Sequence, residues 1–317
     1  PKNFLLLPED TLENILMIIY AVIFLVGILG NGFILLVNCI DWIKNRRFSL
    51  MDCILTCLAI SRIFMLCIII LSIGLHVISV TIWCNNDLLI SLENLWIGSN
   101  YFCTVCTTCL SVFYFLKIAN FSNLLFLWMK WRIHKVLLII VLGAALSFGL
   151  SLLFKDTVVK ILLKNQIDAE NNVTLYFSER KHILTSHLFL GTMFIIPFVV
   201  SLTSFVLLIL SLWSHLRHMK STVSRDTSTE AHVRAMKSMI SFLLLFILYY
   251  ASNILLMWGY GRQDNFVVKI FSNVLLFFYP SGHPFLMILW NSKLKQASLR
   301  ILRKLNCSMN PRKPTLP

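Results

Sequence analysis

The sequence predicts an all-α membrane protein, a bundle of seven transmembrane helices. Three observations lead to this prediction: the composition, the number of long apolar runs, and the uneven distribution of basic residues. Of the 317 residues, 58% are hydrophobic and only 13% are charged, which is far from the composition of water-soluble domains. The apolar residues form long runs instead of short alternating ones, which favours spanning helices over a transmembrane barrel.

Seven apolar runs are long enough to cross a bilayer core of about 30 Å as helices. They cover residues 12–39, 51–75, 90–117, 134–155, 184–214, 238–260 and 267–290. An amphipathic pattern at residues 293–305 follows the last run and predicts a short helix lying on the membrane surface, in contact with lipid. We expect residues 1–305 to form one domain and residues 306–317 to form a tail without fixed structure.

The distribution of Lys and Arg predicts the orientation of the chain. Most of the 28 basic residues lie in the tail or in the connections that follow the first, third and fifth runs. Basic residues near span ends stay on the cytoplasmic side. We therefore expect the N-terminus outside and the C-terminus in the cytoplasm. This orientation places Asn172, in an Asn-Val-Thr sequon of the fourth connection, outside as a candidate glycosylation site.

Residues that could support catalysis or metal binding are dispersed along the chain. The sequence contains no Gly-rich phosphate loop, no His-Glu metal pair and no pair of Asp residues within a span. We therefore expect no enzyme, no cofactor and no metal site. The net charge of +14 lies mostly on one side of the membrane, so it does not indicate nucleic-acid binding. Cys307, just after the amphipathic pattern, is a candidate palmitoylation site, with a free cytosolic thiol as the alternative.

One face of the third run carries a spaced set of larger polar or amphipathic side chains. Glu93, Trp96 and Asn100 are three and four positions apart, so they stack along one side of a helix. An indole and an amide combine apolar area with hydrogen-bonding atoms, as in pockets for small molecules. The alternative is that Trp96 lies at the membrane interface and Asn100 bonds a neighbouring helix.

Arg62 is the residue that is most costly to place in a bilayer. A cation near the centre of a span disfavours insertion by about 2.5–3.5 kcal/mol, so Arg62 is expected to face the other helices. The available partners are Asn31, Ser61 and His283, and the neighbouring spans offer no acid. We interpret Arg62 as a structural and switching residue. Pro197 is expected to kink the fifth span by freeing a backbone carbonyl.

Five motifs, in this order along the chain, resemble the bitter taste receptors, the taste receptor type 2 family. They are LAISR at 58–62, FYFLKIANFSN at 113–123, SLWSHLRHM at 211–219, STEAHVRAMK at 228–237 and NSKLKQASLR at 291–300. Where rhodopsin-like receptors carry Asp-Arg-Tyr, this chain has Phe-Tyr-Phe around Tyr114. The chain departs from the bitter family at Pro284, where a Ser is usual, and at Trp290, where a Gly is common.

The resemblance implies a G-protein-coupled receptor in the plasma membrane. In that family a bitter small molecule binds from outside between the third, fifth, sixth and seventh spans and activates a heterotrimeric G protein of the gustducin type. Trp96 and Asn100 match positions that the family uses to hold agonists, and we place Tyr249 and Asn273 opposite them. The expected residues for coupling to the G protein are Lys117, His215, Met219 and Lys237. Tyr114, Asn31 and His283 are expected to act with Arg62 and Pro197 in switching.

Three alternative functions stay open at this point. Another chemosensory receptor, such as a vomeronasal type 1 receptor, would have the same architecture and different loop motifs. A small-molecule transporter would be expected to show paired repeats and interrupted helices near the midplane, and neither is visible. A scaffold that does not signal would activate no G protein with any compound. The agonist and the oligomeric state are not predicted by the sequence.

Overall fold

The computed structural model describes residues 9–46, 49–78, 86–167, 193–214, 217, 227–261 and 266–309. Within these segments all regular secondary structure is helical, which agrees with the predicted fold class. The helices are α1 (Glu9–Asn45), α2 (Leu50–Ile78), α3 (Asn86–Ile118), α4 (Leu124–Trp131), α5 (Ile133–Ile167), α6 (Met193–Ser214), α7 (Thr227–Gly261), α8 (Phe266–Trp290) and α9 (Ser292–Met309).

Helices lie at all seven predicted span positions, and most are longer than predicted. The described parts of α1, α2, α3, α5 and α6 are long and apolar enough to cross a membrane. The helices α7 and α8 contain shorter apolar stretches, Met239–Leu255 and Val274–Trp290. Residues 184–192 of the predicted fifth span lie outside the described residues. The helical membrane character is therefore clear, while the number of spans and their direction stay predictions.

The third helix is the centre of the described bundle. In its apolar stretch 78% of the residues are buried, whereas the corresponding value for α5 is 6%. The helix α3 packs between α2 and α5, while α8 packs against α1, α2, α7 and α9. Because the central helix is buried along its length, its polar side chains must find partners on neighbouring helices. This requirement places the candidate site along α3.

The close approach of α1 and α8 depends on two glycines of α1. A Cβ atom on Gly27 would lie 2.5 Å from the Ser281 hydroxyl oxygen and 2.6 Å from a methyl carbon of Leu66. A Cβ on Gly30 would lie 3.0 Å from the Cβ of Pro284. Small residues at such positions let two helix backbones approach closely, which is how helices commonly pack in membranes.

The short helix α4 was not predicted from the sequence. It begins after Asn123, whose side-chain oxygen accepts a hydrogen bond from the backbone N–H of Leu125 at 2.8 Å. Phe126 is buried, and its ring contacts those of Phe115 and Phe121, both at 5.3 Å between centroids. A helix cap and one buried aromatic side chain are thus sufficient to order this connection between α3 and α5.

The last helix is attached to α1 and α2 by an ionic contact. Lys293 lies 2.6 Å from a carboxylate oxygen of Asp41 and 2.9 Å from one of Asp52. Asp52 is itself held by Ser49, whose hydroxyl donates to the second carboxylate oxygen at 2.7 Å. The side chain of Asn291 caps the start of α9 by accepting from two backbone N–H groups. This helix continues to Met309, four residues beyond the predicted end.

Candidate functional site

Two polar residues of the predicted ligand site lie buried between α3 and α7. Asn100 and Tyr249 are both almost completely inaccessible to solvent. The side-chain amide of Asn100 donates to the side-chain oxygen of Asn253 at 3.4 Å, and Asn253 in turn donates to the backbone oxygen of Tyr249 at 2.8 Å. Since Asn253 must present its NH₂ group to that carbonyl, its oxygen faces α3. The structure thus brings Asn100 and Tyr249 to the same interface.

Two buried polar atoms at this interface lack a hydrogen-bond partner among the described residues. The side-chain oxygen of Asn100 and the hydroxyl of Tyr249 form no hydrogen bond with the described residues. A buried polar group without a partner costs about 1–3 kcal/mol. A rearrangement or a bound molecule that supplies partners to these two atoms would therefore be favoured energetically.

The other predicted ligand residues have a less complete description. Trp96 is half-buried on α3 and packs against the hydrophobic core. The side chains of Glu93 and Asn273 lie outside those that the structure describes, although their backbones are in α3 and α8. The juxtaposition of Asn273 with Trp96 and Asn100 therefore stays a prediction.

Below Asn100, α3 carries a buried stripe of hydroxyl side chains. Thr104, Thr107, Thr108 and Ser111 each donate to a backbone carbonyl three or four residues earlier in the helix. Such bonds satisfy a hydroxyl within its own helix and leave its oxygen able to accept from a neighbour. Thr107 uses this capacity toward α8, where its hydroxyl oxygen lies 3.1 Å from that of Tyr279.

Arg62 lies at the end of this chain of contacts. Its side chain is buried, with 1% of its surface exposed, and one terminal nitrogen donates to the Tyr279 hydroxyl at 3.3 Å. The other terminal nitrogen lies 3.0 Å from Nδ1 of His283. The guanidinium also lies over the Tyr279 ring, 5.1 Å from its centroid. Two hydrogen bonds and one aromatic face from α8 thus stabilise the buried positive charge that α2 carries.

His283 connects Arg62 to α7. A guanidinium only donates hydrogen bonds, so Nδ1 of His283 must be the acceptor and its proton must reside on the other ring nitrogen. The imidazole stacks on Phe242 with 4.9 Å between ring centroids and an angle of 20°. A change in the position of α7 at Phe242 would therefore act directly on the ring that holds Arg62.

Of the three partners suggested for Arg62 by the sequence, His283 is the one whose side chain forms a hydrogen bond with it. Ser61 donates to the backbone oxygen of Leu58, and Asn31 donates to backbone oxygens of Gly27 and Pro280. The sequence analysis missed Tyr279, Thr107 and Asn253. A buried guanidinium has five donors, and that demand for acceptors was the signal that further polar or aromatic partners had to exist.

Pro197 lies where α6 meets α3. Its backbone oxygen lies 3.3 Å from the Thr108 hydroxyl oxygen, whose single proton is shared between this carbonyl and the nearer one of Thr104 at 2.9 Å. The hydroxyl of Ser201 donates to that of Thr108 at 2.9 Å. One turn earlier, the backbone oxygen of Phe194 accepts from the Tyr250 hydroxyl at 2.5 Å. Side chains of α3 and α7 thus support the backbone around the proline that interrupts the hydrogen bonding of α6.

The residues predicted to couple to a G protein are only partly described. Lys117 is exposed at the end of α3, with its ammonium nitrogen 5.2 Å from the centroid of the Phe113 ring. Tyr114 is half-buried beside the same ring, and Lys237 is exposed on α7. The remaining predicted residues at the surface, His215, Met219, Asn172 and the side chain of Cys307, lie outside the described residues.

Comparison with known proteins now identifies the family. The family model of the taste receptor protein (TAS2R) matches residues 9–306. The chain belongs to this family. It is 43% identical over 300 residues to taste receptor type 2 member 7 of Macaca mulatta, which covers 92% of this chain and 94% of that protein. It is 44% identical over 304 residues to taste receptor type 2 member 10 of Papio hamadryas, covering 94% and 96%.

The match confirms the family resemblance that the five sequence motifs indicated. It covers the whole helical region, from the start of α1 almost to the end of α9. The buried contacts of Arg62, Asn100 and His283 therefore belong to a member of the taste receptor type 2 family.

Proposed function

We propose that this taste receptor is a G-protein-coupled receptor for bitter small molecules, with seven spans in the plasma membrane and its N-terminus outside. The agonist enters between the third, fifth, sixth and seventh spans, here α3, α6, α7 and α8. It contacts Trp96, Asn100 and Tyr249, with Glu93 and Asn273 at the outer edge. The cytoplasmic ends, including Lys117, His215, Met219 and Lys237, bind a heterotrimeric G protein of the gustducin type.

The observation that carries this proposal is a pair of buried polar contact groups along α3 that are joined by two stacked rings. Asn100 and Asn253 form the outer group with Tyr249, and Thr107, Tyr279, Arg62 and His283 form the inner group. The rings of Tyr249 and Tyr279 stack with 4.4 Å between centroids and so connect the two groups. Together the two groups join α2, α3, α7 and α8, which are the helices whose relative positions a ligand between them would alter. Buried polar contacts of this kind tend to have discrete arrangements instead of continuous ones.

The two polar atoms without partners in the outer group, the Asn100 oxygen and the Tyr249 hydroxyl, are available to form hydrogen bonds with a ligand. A ligand changes a conformational equilibrium only by binding one state more strongly than the other. A molecule that donates to the Asn100 oxygen and pairs with the Tyr249 hydroxyl binds most strongly where α3 and α7 present both atoms to it, and so favours one relative position of the two helices. A shift toward that position reaches His283 through Phe242 on the same helix α7.

A panel of bitter compounds applied to cells expressing the chain tests this proposal. We expect calcium responses to at least one compound when a gustducin-type G protein is present, and no response when it is absent. The variant Trp96→Ala is expected to lose or strongly weaken the response while its surface expression persists. Phe154→Ala is the matched control, because Phe154 is an exposed aromatic residue on α5, a helix that the proposal assigns neither to the agonist site nor to the G-protein surface.

Two results would contradict separate parts of the proposal. An unchanged dose–response curve for Trp96→Ala with a genuine agonist would remove Trp96 from the ligand site. The absence of G-protein activation by every compound, from a chain that reaches the cell surface, would count against the receptor function and favour a protein that does not signal.

A further inference from the structure

The short helix α4 presents an apolar face that the described part of the chain leaves uncovered. Leu124, Trp128 and Trp131 are four and three positions apart, so they share one side of the helix. Their exposed fractions are 85%, 49% and 88%. Two tryptophans and a leucine at this exposure on one eight-residue helix are unusual for a surface that contacts only water.

The opposite face of α4 fixes which side points outward. Phe126 is buried against Phe115 and Phe121, and the Lys130 ammonium donates to the backbone oxygen of Ala119 at 3.0 Å. Both contacts tie α4 to the end of α3. The helix therefore cannot rotate its tryptophans inward without breaking an aromatic cluster and a charge-assisted hydrogen bond.

The position of α4 in the bundle indicates what lies next to its outer face. Only Arg132 separates α4 from α5, and α5 is the most peripheral of the apolar helices, with 6% of its apolar stretch buried. Side chains along α5 such as Leu138 and Leu146 are well exposed. If α5 spans a bilayer, these side chains face lipid, and the outer face of α4 continues that surface at the cytoplasmic end.

We propose that α4 is an interfacial anchor that lies in the headgroup region of the cytoplasmic leaflet. Trp128 and Trp131 occupy the boundary between headgroups and hydrocarbon, where tryptophan is enriched. The exposed cations Arg132 and Lys135 lie beside them, and the Arg132 guanidinium is 5.4 Å from the centroid of the Trp128 ring. This combination of aromatic and basic side chains fits a bilayer that contains anionic phospholipid.

The anchor has a consequence for the cytoplasmic end of α3. Because Lys130 binds the backbone of Ala119, and the next residue, Asn120, donates its backbone N–H to the Ser211 hydroxyl on α6, α4 connects the membrane surface to two helices. The bilayer would thus hold the inner end of α3 at a constant depth. This inference rests on the membrane topology in the proposed function, so its test includes a position that reports on topology alone.

Site-specific photocrosslinking in lipid nanodiscs tests the inference. The photoreactive residue p-benzoylphenylalanine replaces Trp131 in the full chain, and adducts are identified by mass. We expect a phospholipid adduct, both without and with the heterotrimeric G protein. The same probe at Leu146 on α5 should also give a lipid adduct. At Phe126, the buried residue of the same helix, it should react within the protein.

The control positions separate the possible failures. An adduct at Trp131 with the G-protein α subunit in place of lipid would overturn the anchor and assign the face to protein docking. A lipid adduct at Leu146 without one at Trp131 would also overturn it. If Leu146 gives no lipid adduct, the spanning arrangement of α5 is itself wrong, and with it the proposed topology.

The lipid chemistry is tested with nanodiscs that mix phosphatidylcholine and phosphatidylserine. Phosphatidylserine adducts at Trp131 should exceed the share of that lipid in the mixture. The double variant Arg132→Gln, Lys135→Gln should remove this preference and retain the adducts themselves. A preference that is absent from the start, or that survives the double variant, would contradict the role given to the two cations.

Discussion

The side-chain amide of Asn31 donates a hydrogen bond to the backbone oxygen of Pro280, 3.0 Å away. In a regular helix this oxygen would accept from the backbone N–H four residues later, but that residue is Pro284, which has none. Asn31 on α1 therefore satisfies a carbonyl that the sequence of α8 leaves free. Its nitrogen also donates to the backbone oxygen of Gly27 at 2.8 Å, so one side chain serves both helices.

The variant Asn31→Ala is expected to destabilise the protein. Removal of the amide leaves the Pro280 oxygen buried without a partner, at a cost of about 1–3 kcal/mol. Thermal unfolding in detergent or nanodiscs measures the loss as a lower midpoint.

A double-mutant cycle with Pro284→Ala identifies the cause. Alanine at 284 restores a backbone N–H that can bond the Pro280 oxygen within α8, so Asn31→Ala should cost less in that background than in the natural chain. Equal costs in the two backgrounds would mean that Asn31 stabilises the protein in another way.

Gly27→Ala is expected to disturb the contact between α1 and α8. The added methyl group would lie 2.5 Å from the Ser281 oxygen and 2.6 Å from Leu66, so both side chains must move. Overpacking of this kind costs about 1–3 kcal/mol. Gly32→Ala on the same helix is the matched control, since its methyl group would meet nothing within 4 Å. Comparable surface expression and unfolding midpoints for the two variants would contradict the close packing at Gly27.

His283→Ala is expected to weaken both stability and signalling. It removes the acceptor for one terminal nitrogen of Arg62 and leaves that part of the buried cation without a partner, at about 1.5–3 kcal/mol. His283→Gln keeps an acceptor and should recover part of the loss. The comparison needs unfolding midpoints together with agonist responses at matched surface expression. No difference between the alanine and glutamine variants would show that the Arg62 contact is unimportant.

Lys293→Ala is expected to loosen α9. The ammonium bridges Asp41 on α1 and Asp52 on α2, and the Asp52 carboxylate is buried. Because Lys293 is partly exposed, water and salt screen the contact, and we expect a loss of roughly 1 kcal/mol or less. Hydrogen exchange of the α9 amides should become faster. Lys295→Ala, which alters an exposed lysine in the same turn, should leave the exchange unchanged.

The pH range of this contact follows from the direction in which the pKa of Lys293 moves. Burial alone lowers that pKa, but hydrogen bonds to Asp41 and Asp52 outweigh it and raise the pKa above its ordinary value of 10.5. A group with a raised pKa stabilises the fold below its unfolded value and loses that contribution as the pH rises through the folded value. The protection factors of the α9 amides, which are exchange rates corrected for their intrinsic increase with pH, should therefore stay constant around neutral pH and fall only in strong alkali.

Much of the architecture could be predicted from the sequence. Three features follow from local composition and periodicity: the helices at the predicted spans, the burial of Arg62, and the helix that follows the last span. Hydrophobicity belongs to each side chain, so these features need no knowledge of distant residues. The helix α4 was missed because it is short and seven of its eight residues are apolar, so the sequence alone does not show which of them face the protein; the Asn123 cap and the burial of Phe126 do.

By itself, the sequence determined the membrane character, the helical positions, the family and the candidate residues Trp96, Asn100 and Arg62. Only the tertiary structure decided which partners these residues meet. Arg62 finds Tyr279 and His283 at separations of 217 and 221 residues along the chain, and Asn31 finds Pro280 at 249. Local pattern cannot predict such pairs, because they depend on how far each helix is rotated and shifted against its neighbour, and that is set by the packing of all the helices together.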